Sequence, residues 1–437
     1  MAVYHHITEL IGHTPLLEID PEVHGLRHVR LYAKLEMQNI FGSLKDRVAW
    51  NILKDDLPSI RRQKLQVVEL SSGNTAKALA VLAQMHGATF KTITNRIKVK
   101  EQRDLLLLLG ATIEELPGLS ECPDLTNPND PLTYINRQLA EQPQTFFHTD
   151  QYFNPKNKRA HQQHTAQEIL DDLGQPPDFF IAGLGTAGSS SGITERLTED
   201  NPGLTTVGVV AEKSDFIPGI RTIDEMYEVG LFQPDAYDNI EVISSHDAVE
   251  GSLELMRRVG LLAGPTTGST YRGALRFLRG LDPQLDHTHH AVFIACDRIE
   301  SYVSYYKQRR PDLFNARPSS VEALSPTDVE RHTAELAPTA FLEALTSDTL
   351  LIDARGAIAF ELGTIDPRAV NIPQDVLDGM FSRGLPFAKQ RPVAFVCPTG
   401  AATRKFAAKV NQLGGRAINL QGGIAAWLAA GHSLLRP

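Results

Sequence analysis

The sequence predicts an α/β chain built on mainly parallel sheets, arranged as a large unit followed by a smaller one. From about residue 30 to 300, short β-rich runs alternate with stretches whose apolar residues recur at helical spacing. Near residues 309–325 the composition changes to Arg-Arg-Pro, Arg-Pro-Ser-Ser and Leu-Ser-Pro-Thr, the mark of an interdomain linker. A second alternating unit of about a hundred residues follows, a normal domain size. With 437 residues in all, two or three domains are expected. The boundaries are placed at 1–312, 313–324 and 325–437.

In chain order, the first strand is expected at 31–36. A glycine-serine turn over 39–47 follows, and it carries Lys45 just before a helix. Further strands are expected at 65–70, 89–95, 178–183, 205–212 and 290–297, with helices at 75–86 and 268–278. The leucine run 105–109 is too short to cross a bilayer and is expected to form one buried helical turn ending at Gly110. Residues 117–131, rich in Pro, Asn, Asp and Ser, form a surface excursion. In the smaller unit, strands are expected at 349–354, 393–396 and 417–420, with a helix over 404–413.

Composition narrows the function. A 42% hydrophobic content fills ordinary cores, and a net charge of −9 disfavours nucleic acid or an anionic membrane as the main partner. No charged-then-apolar leader opens the chain. The three cysteines, Cys122, Cys296 and Cys397, cannot form a disulfide framework or a four-cysteine zinc site, so reduced thiols and a cytoplasmic location are expected. His161, His164, His287 and His290 have no companion ligands at metal spacing, and no metal is expected.

Four short segments carry chemistry. Lys45 sits near the positive end of a helix, where the field lowers an amine pKa, and a neutral amine can condense with a carbonyl; a solvated turn lysine is the alternative. Ser71-Ser72-Gly73-Asn74-Thr75 follows a strand and opens a helix. It forms either an anion site or an ordinary capped start. Gly183-Leu184-Gly185-Thr186-Ala187-Gly188-Ser189 also links strand to helix, with glycines for close backbone approach and hydroxyls as donors. It lacks the Gly-Lys-Ser/Thr of a nucleotide loop and the full Gly-x-Gly-x-x-Gly pattern. Gly264-Pro-Thr266-Thr-Gly-Ser269 is a loop offering a hydroxyl to whatever the site contains, and Gln151 adds an amide.

Together these segments resemble the fold-type II pyridoxal-phosphate enzymes, within the cysteine synthase family. The motifs are Ile11-Gly-His-Thr-Pro-Leu16, the lysine turn 39–47, the loop 71–75 and the cup 185–189. Ile217-Pro-Gly-Ile-Arg221 and Cys296-Asp-Arg298 resemble the cysteine synthase B branch in particular. The resemblance implies two α/β subdomains with pyridoxal 5'-phosphate between them, and a homodimer. Lys45 would hold the cofactor and act as base. Gly185, Thr186, Ala187, Gly188 and Ser189 would bind its phosphate, Asn74 its ring hydroxyl, and Thr266 its ring nitrogen. Ser71, Ser72, Gly73, Thr75 and Gln151 would hold the substrate carboxylate. The implied cycle is β-elimination from an activated serine through an aminoacrylate, then addition of a nucleophile. Arg221 either meets the phosphate of O-phosphoserine or forms a surface ion pair with Asp224 or Glu225; O-acetylserine is the other leaving-group candidate. Ile40 replaces the family's usual proline, Ala187 a glycine, and residues 299–301 its Gly-x-Arg. Relatives that make 2,3-diaminopropionate precursors share most of these motifs.

In the smaller unit, Cys397 ends a strand and enters the loop Pro398-Thr-Gly-Ala-Ala-Thr403, where helix N–H dipoles would stabilise a thiolate; burial as a small hydrophobe is the alternative. The stretch from about 325 onward resembles a single rhodanese domain. The matches are Leu350-Leu-Ile-Asp-Ala-Arg355, Ala369-Val-Asn-Ile-Pro373 and Leu420-Gln-Gly-Gly-Ile-Ala-Ala-Trp427. By that resemblance Cys397 would carry a persulfide sulfur. Thr364 replaces a common histidine, and Ala402 stands where the loop commonly has arginine, with Arg404 two places later. The fusion implies a bifunctional sulfur enzyme working on small-molecule amino-acid and sulfur substrates. Three alternatives stand beside it: a cysteine lyase passing sulfur to Cys397, an amine-using β-replacement enzyme, and a rhodanese unit that only docks.

Overall fold

The computed structural model describes residues 3–94, 97–116, 130–213, 215–227, 229–314, 324–381 and 385–436. The chain divides into two compact units, Met1–Arg309 and Arg310–Pro437. Residues 117–129 of the expected excursion, with Cys122, and most of the expected linker lie outside the described residues, while Asp130 and Pro131 cap and open a helix, Pro131–Glu141.

In the first unit the strands are β1 (Leu16–Ile19), β2 (Val29–Lys34), β3 (Gln66–Leu70), β4 (Thr89–Thr94), β5 (Thr112–Glu115), β6 (Phe146–His148), β7 (Phe179–Gly183), β8 (Thr205–Ala211), β9 (Asn239–Ile243) and β10 (His289–Ile294). They form a six-stranded sheet, β1-β2-β10-β7-β8-β9, and a four-stranded sheet, β5-β4-β3-β6. Every pairing is parallel except β1 with β2. The near-continuous apolar strands follow from helices covering both faces. On β7, Phe179 and Ile181 enter one core while Phe180 and Ala182 enter another. The smaller sheet divides likewise, Val67 to one side and Val68 with Leu70 to the other.

Five helices carry the site: α1 (Lys45–Leu53), α2 (Asn74–Met85), α3 (Lys100–Leu108), α4 (Gly188–Asp200) and α5 (Pro265–Leu281). Two expectations need correction. The leucine run belongs to α3 but is not a buried turn. Leu106 is 1% exposed, whereas Leu107 and Leu108 are 53% and 85% exposed. Residues 264–269 are not a loop, because Gly264 is the N-cap and Pro265 begins α5, a position where a missing N–H costs nothing.

The second unit has a five-stranded sheet in the order β11-β15-β14-β12-β13. Its strands are β11 (Glu335–Leu336), β12 (Leu350–Asp353), β13 (Val370–Asn371), β14 (Val393–Val396) and β15 (Ala417–Leu420). Helix α6 (Ala401–Gln412) begins earlier than the expected 404–413, so it includes the last residues of the cysteine loop. Among the described residues, no helix is long and apolar enough to cross a membrane.

Candidate active site

In parallel sheets, crevices open beyond the carboxyl ends of the strands. One cavity lies there in the first unit, walled by the residues after β3, β7 and β10 together with Lys45 and Thr266. The turn bearing Lys45 is closed by Asp46, which accepts from Phe41 N at 2.6 Å and from Ser43 Oγ at 3.1 Å. Leu44 N donates to Cys296 O at 3.0 Å, tying the turn to the end of β10. Lys45 Nζ lies 3.5 Å from Thr186 Oγ1. Its pKa falls from 10.5 to about 8, chiefly through burial, with the Cys296 thiol opposing. A helix dipole contributes about 0.3–1 kcal/mol, whereas a fall of this size corresponds to about 3 kcal/mol. Burial, not the helix end, is therefore the main cause, which corrects the sequence-based argument.

Ser71, Ser72, Gly73, Asn74 and Thr75 line the same cavity, and Asn74 begins α2. Thr75 Oγ1 donates to Gln151 Oε1 at 2.8 Å, and Gln151 Nε2 donates to Leu70 O at 2.9 Å. Fully buried Glu69 holds Gln151 from behind by accepting its backbone N–H at 3.0 Å. Opposite, Gly185, Thr186 and Ser189 line the cavity at the head of α4. Ala187 is buried behind them at φ 58°, a left-handed conformation that costs a non-glycine residue about 1–2 kcal/mol. Its methyl packs with Leu184, Val210 and Met226, which offsets part of that cost. Thr266, on the first turn of α5, donates to Pro218 O at 2.5 Å. Arg221 stands in the wall with its guanidinium 5.0 Å over the Tyr152 ring. Asp224 is instead engaged by Lys213 at 3.1 Å.

In the second unit, Cys397 continues the alternation of β14. Val393, Phe395 and Cys397 share one core, Ala394 and Val396 the other. The thiol is 1% exposed and accepts from Thr403 Oγ1 at 3.2 Å. The loop is pinned to the segment after β15, because Ile424 N donates to Cys397 O at 3.0 Å. A Cβ on Gly423 would meet that carbonyl oxygen at 2.2 Å. Arg404 Nε lies 3.2 Å from Glu335 Oε2, so this guanidinium is committed to β11. Thr364 is buried and exchanges two backbone hydrogen bonds with Leu435, at 2.8 and 2.7 Å.

Residues 7–297 match the pyridoxal-phosphate dependent enzyme family, and residues 337–430 match the rhodanese-like domain. The chain belongs to the pyridoxal-phosphate dependent enzymes. Cysteine synthase B of Campylobacter jejuni is 31% identical over 280 residues, covering 62% of this chain and 88% of that protein. Cysteine synthase B of Escherichia coli is 28% identical over 305 residues, covering 68% and 94%. The crystal structure of a hydrogen sulfide-producing enzyme from Fusobacterium nucleatum is 26% identical with a TM-score of 0.60, covering 69% of this chain and 99% of that one. These relatives support β-replacement chemistry dependent on pyridoxal phosphate.

This pyridoxal-phosphate enzyme has a cavity whose own geometry suits the cofactor. The head of α4 offers unpaired N–H groups beside the Thr186 and Ser189 hydroxyls, the donor set a phosphate takes. Gly185 keeps that cradle open, since a Cβ there would meet Gly219 O at 2.6 Å. Gly185→Ala is therefore expected to weaken cofactor binding about tenfold, the size of a modest overpacking strain, read by titrating the apoenzyme with pyridoxal phosphate. Sequence reasoning gave no role to two residues that line the same cavity, Asp297 and Tyr302. Asp297 belongs to the segment Cys296-Asp-Arg298, and nothing local singles out Tyr302.

Proposed function

We propose that the first unit catalyses β-replacement on O-phosphoserine or O-acetylserine with a sulfur nucleophile, giving cysteine or a thio-analogue. We further propose that Cys397 handles sulfane sulfur. The supporting observation is that Lys45 shares one cavity with Ser72, Thr75, Gln151 and Arg221. When bound, pyridoxal phosphate supplies a carbonyl for the substrate amine and a ring that accepts electrons from Cα. The α4 head and the hydroxyls of Thr186 and Ser189 would hold the phosphate, and residues 71–75 with Gln151 would hold the substrate carboxylate. Lys45, as the neutral amine, takes the proton from Cα. Thr266 would meet the ring nitrogen with a hydroxyl instead of a carboxylate, which would leave that nitrogen largely unprotonated. Arg221 receives the departing phosphate or acetate, which leaves with the C–O electron pair. The sulfur nucleophile then adds at Cβ and Lys45 returns the proton to Cα.

Likeness to a hydrogen sulfide-producing enzyme favours a second direction, in which cysteine is split and its sulfur leaves as sulfide. Adding O-acetylserine, O-phosphoserine and cysteine in turn to the full chain tests both directions. The substrate that displaces the resting visible band names the leaving group, and silence with all three overturns the activated-serine reading. Cys397→Ser is expected to abolish product formation from persulfide donors. Unchanged formation from every sulfane-sulfur donor would sink the relay and favour docking.

A further inference from the structure

One residue joins three segments of the cavity wall. The backbone of Asp297 bridges to Ser43 in the lysine turn, and its carbonyl accepts from Gly264 N at 2.9 Å at the head of α5. Its carboxylate, buried in the cavity wall, accepts from Asn74 Nδ2 at 2.8 Å and from the Tyr302 hydroxyl. Asn74 Nδ2 also lies 2.9 Å from Tyr302 Oη. Gly264 leaves room for this cluster, since a Cβ there would meet Asp297 Oδ1 at 2.4 Å and the Tyr302 ring at 3.1 Å.

The chemistry of the three groups sets the orientation of the amide. An ionised carboxylate only accepts, so the nitrogen of Asn74, not its oxygen, must face Asp297. Tyr302 gives its proton to the same carboxylate, so its oxygen accepts in turn. The two acceptors are hydrogen-bonded to each other and therefore lie on one side of Nδ2. One N–H serves both, and the second N–H of Asn74 is left for the cavity.

We propose that Asp297 and Tyr302 are positioning residues that lock the Asn74 amide with one N–H directed at the ring hydroxyl of the cofactor. A donor there favours the ionised hydroxyl over the neutral one. This rests on the reading of Asn74 as the partner of that hydroxyl. Freed of its anchors, the amide can rotate and present its oxygen, which favours the neutral form.

The test compares Tyr302→Phe, Asp297→Asn and Asn74→Ala, each as full-length holoenzyme. It uses two readouts: the ratio of long- to short-wavelength bands of the bound cofactor, which reports ionisation of the ring hydroxyl, and the affinity of the apoenzyme for pyridoxal phosphate. Asn74→Ala and Asp297→Asn are each expected to lower the band ratio about fivefold, the worth of one hydrogen bond, and Tyr302→Phe to lower it less, because the Asp297 carboxylate still accepts from Asn74 Nδ2. Adding Asp297→Asn to Asn74→Ala should lower the ratio no further, because the anchor acts only through that amide. A residue that merely stabilised the fold would leave the ratio unchanged. If Asn74→Ala moves the ratio but the other two do not, the positioning role is wrong while the reading of Asn74 stands. If Asn74→Ala leaves both ratio and affinity unchanged, the reading of Asn74 falls and the positioning role with it.

Discussion

Lys45→Ala is expected to lower turnover by at least about 10²–10⁴-fold, the range assigned to a single proton-transferring group. It should also remove the covalent attachment of the cofactor, so that dialysis strips the visible chromophore. Both effects follow from one placement. The ammonium end of Lys45 sits in a cavity wall beside Thr186, where burial brings its pKa to about 8. The reactive form is the neutral amine, and the folded-state pKa lies below the ordinary 10.5. The reactive fraction therefore rises with pH and is half-complete near 8 instead of near 10.5. A kcat profile that is flat between pH 6.5 and about 9 would show that proton transfer by Lys45 does not limit the rate. A variant that retains chromophore after dialysis would remove Lys45 from its assigned role.

The second large effect concerns Arg47, two residues further along α1. Its guanidinium meets Glu36 through Nε and Nη2 at 2.7 and 2.8 Å, and Glu168 through Nη1 and Nη2 at 2.7 and 2.6 Å. Glu36 is fully buried, and Lys34 Nζ completes the cluster 3.0 Å from Glu168. Removing one partner from such a set strands a buried charge, at a cost of about 3–5 kcal/mol. Arg47→Met should therefore lose about that much stability in denaturant titrations at neutral pH. Burial pushes the Glu168 carboxyl up, but Arg47 and Lys34 outweigh it and bring the group to about 2 from 4.5. Because the folded value is depressed, this stability is present above about 4.5 and disappears as the pH falls through about 2. The deficit of Arg47→Met should accordingly shrink between those two values. A deficit as large at pH 2.5 as at pH 7 would show that lost packing, not charge, is responsible.

The local motifs were legible because each is a strand end running into a helix start with small residues between. That pattern brings Lys45, the residues 71–75 and Gly185, Thr186 and Ser189 of the cup to the edge of one cavity. Element ends were less legible. Helices α5 and α6 both begin earlier than their apolar spacing suggests, because Gly264 and Gly400 cap them within stretches that look like loop. The run 105–109 misled for a related reason. Five leucines in a row carry no period, so nothing in the run says which side of α3 meets the core.

By itself the sequence determined the α/β class, the division into two units, the pyridoxal-phosphate family and the short segments that border its cavity, since all of these rest on residues near one another in the chain. Only the tertiary structure decided which distant groups support them. Asn74 meets Tyr302 across 228 positions, Arg47 meets Glu168 across 121, and Arg404 is taken by Glu335 instead of serving the cysteine loop. A buried polar group must find a partner or lose the free energy of its hydration. Sequence shows which groups carry that requirement, but the partner is whichever group the packed sheets and helices bring within hydrogen-bond distance.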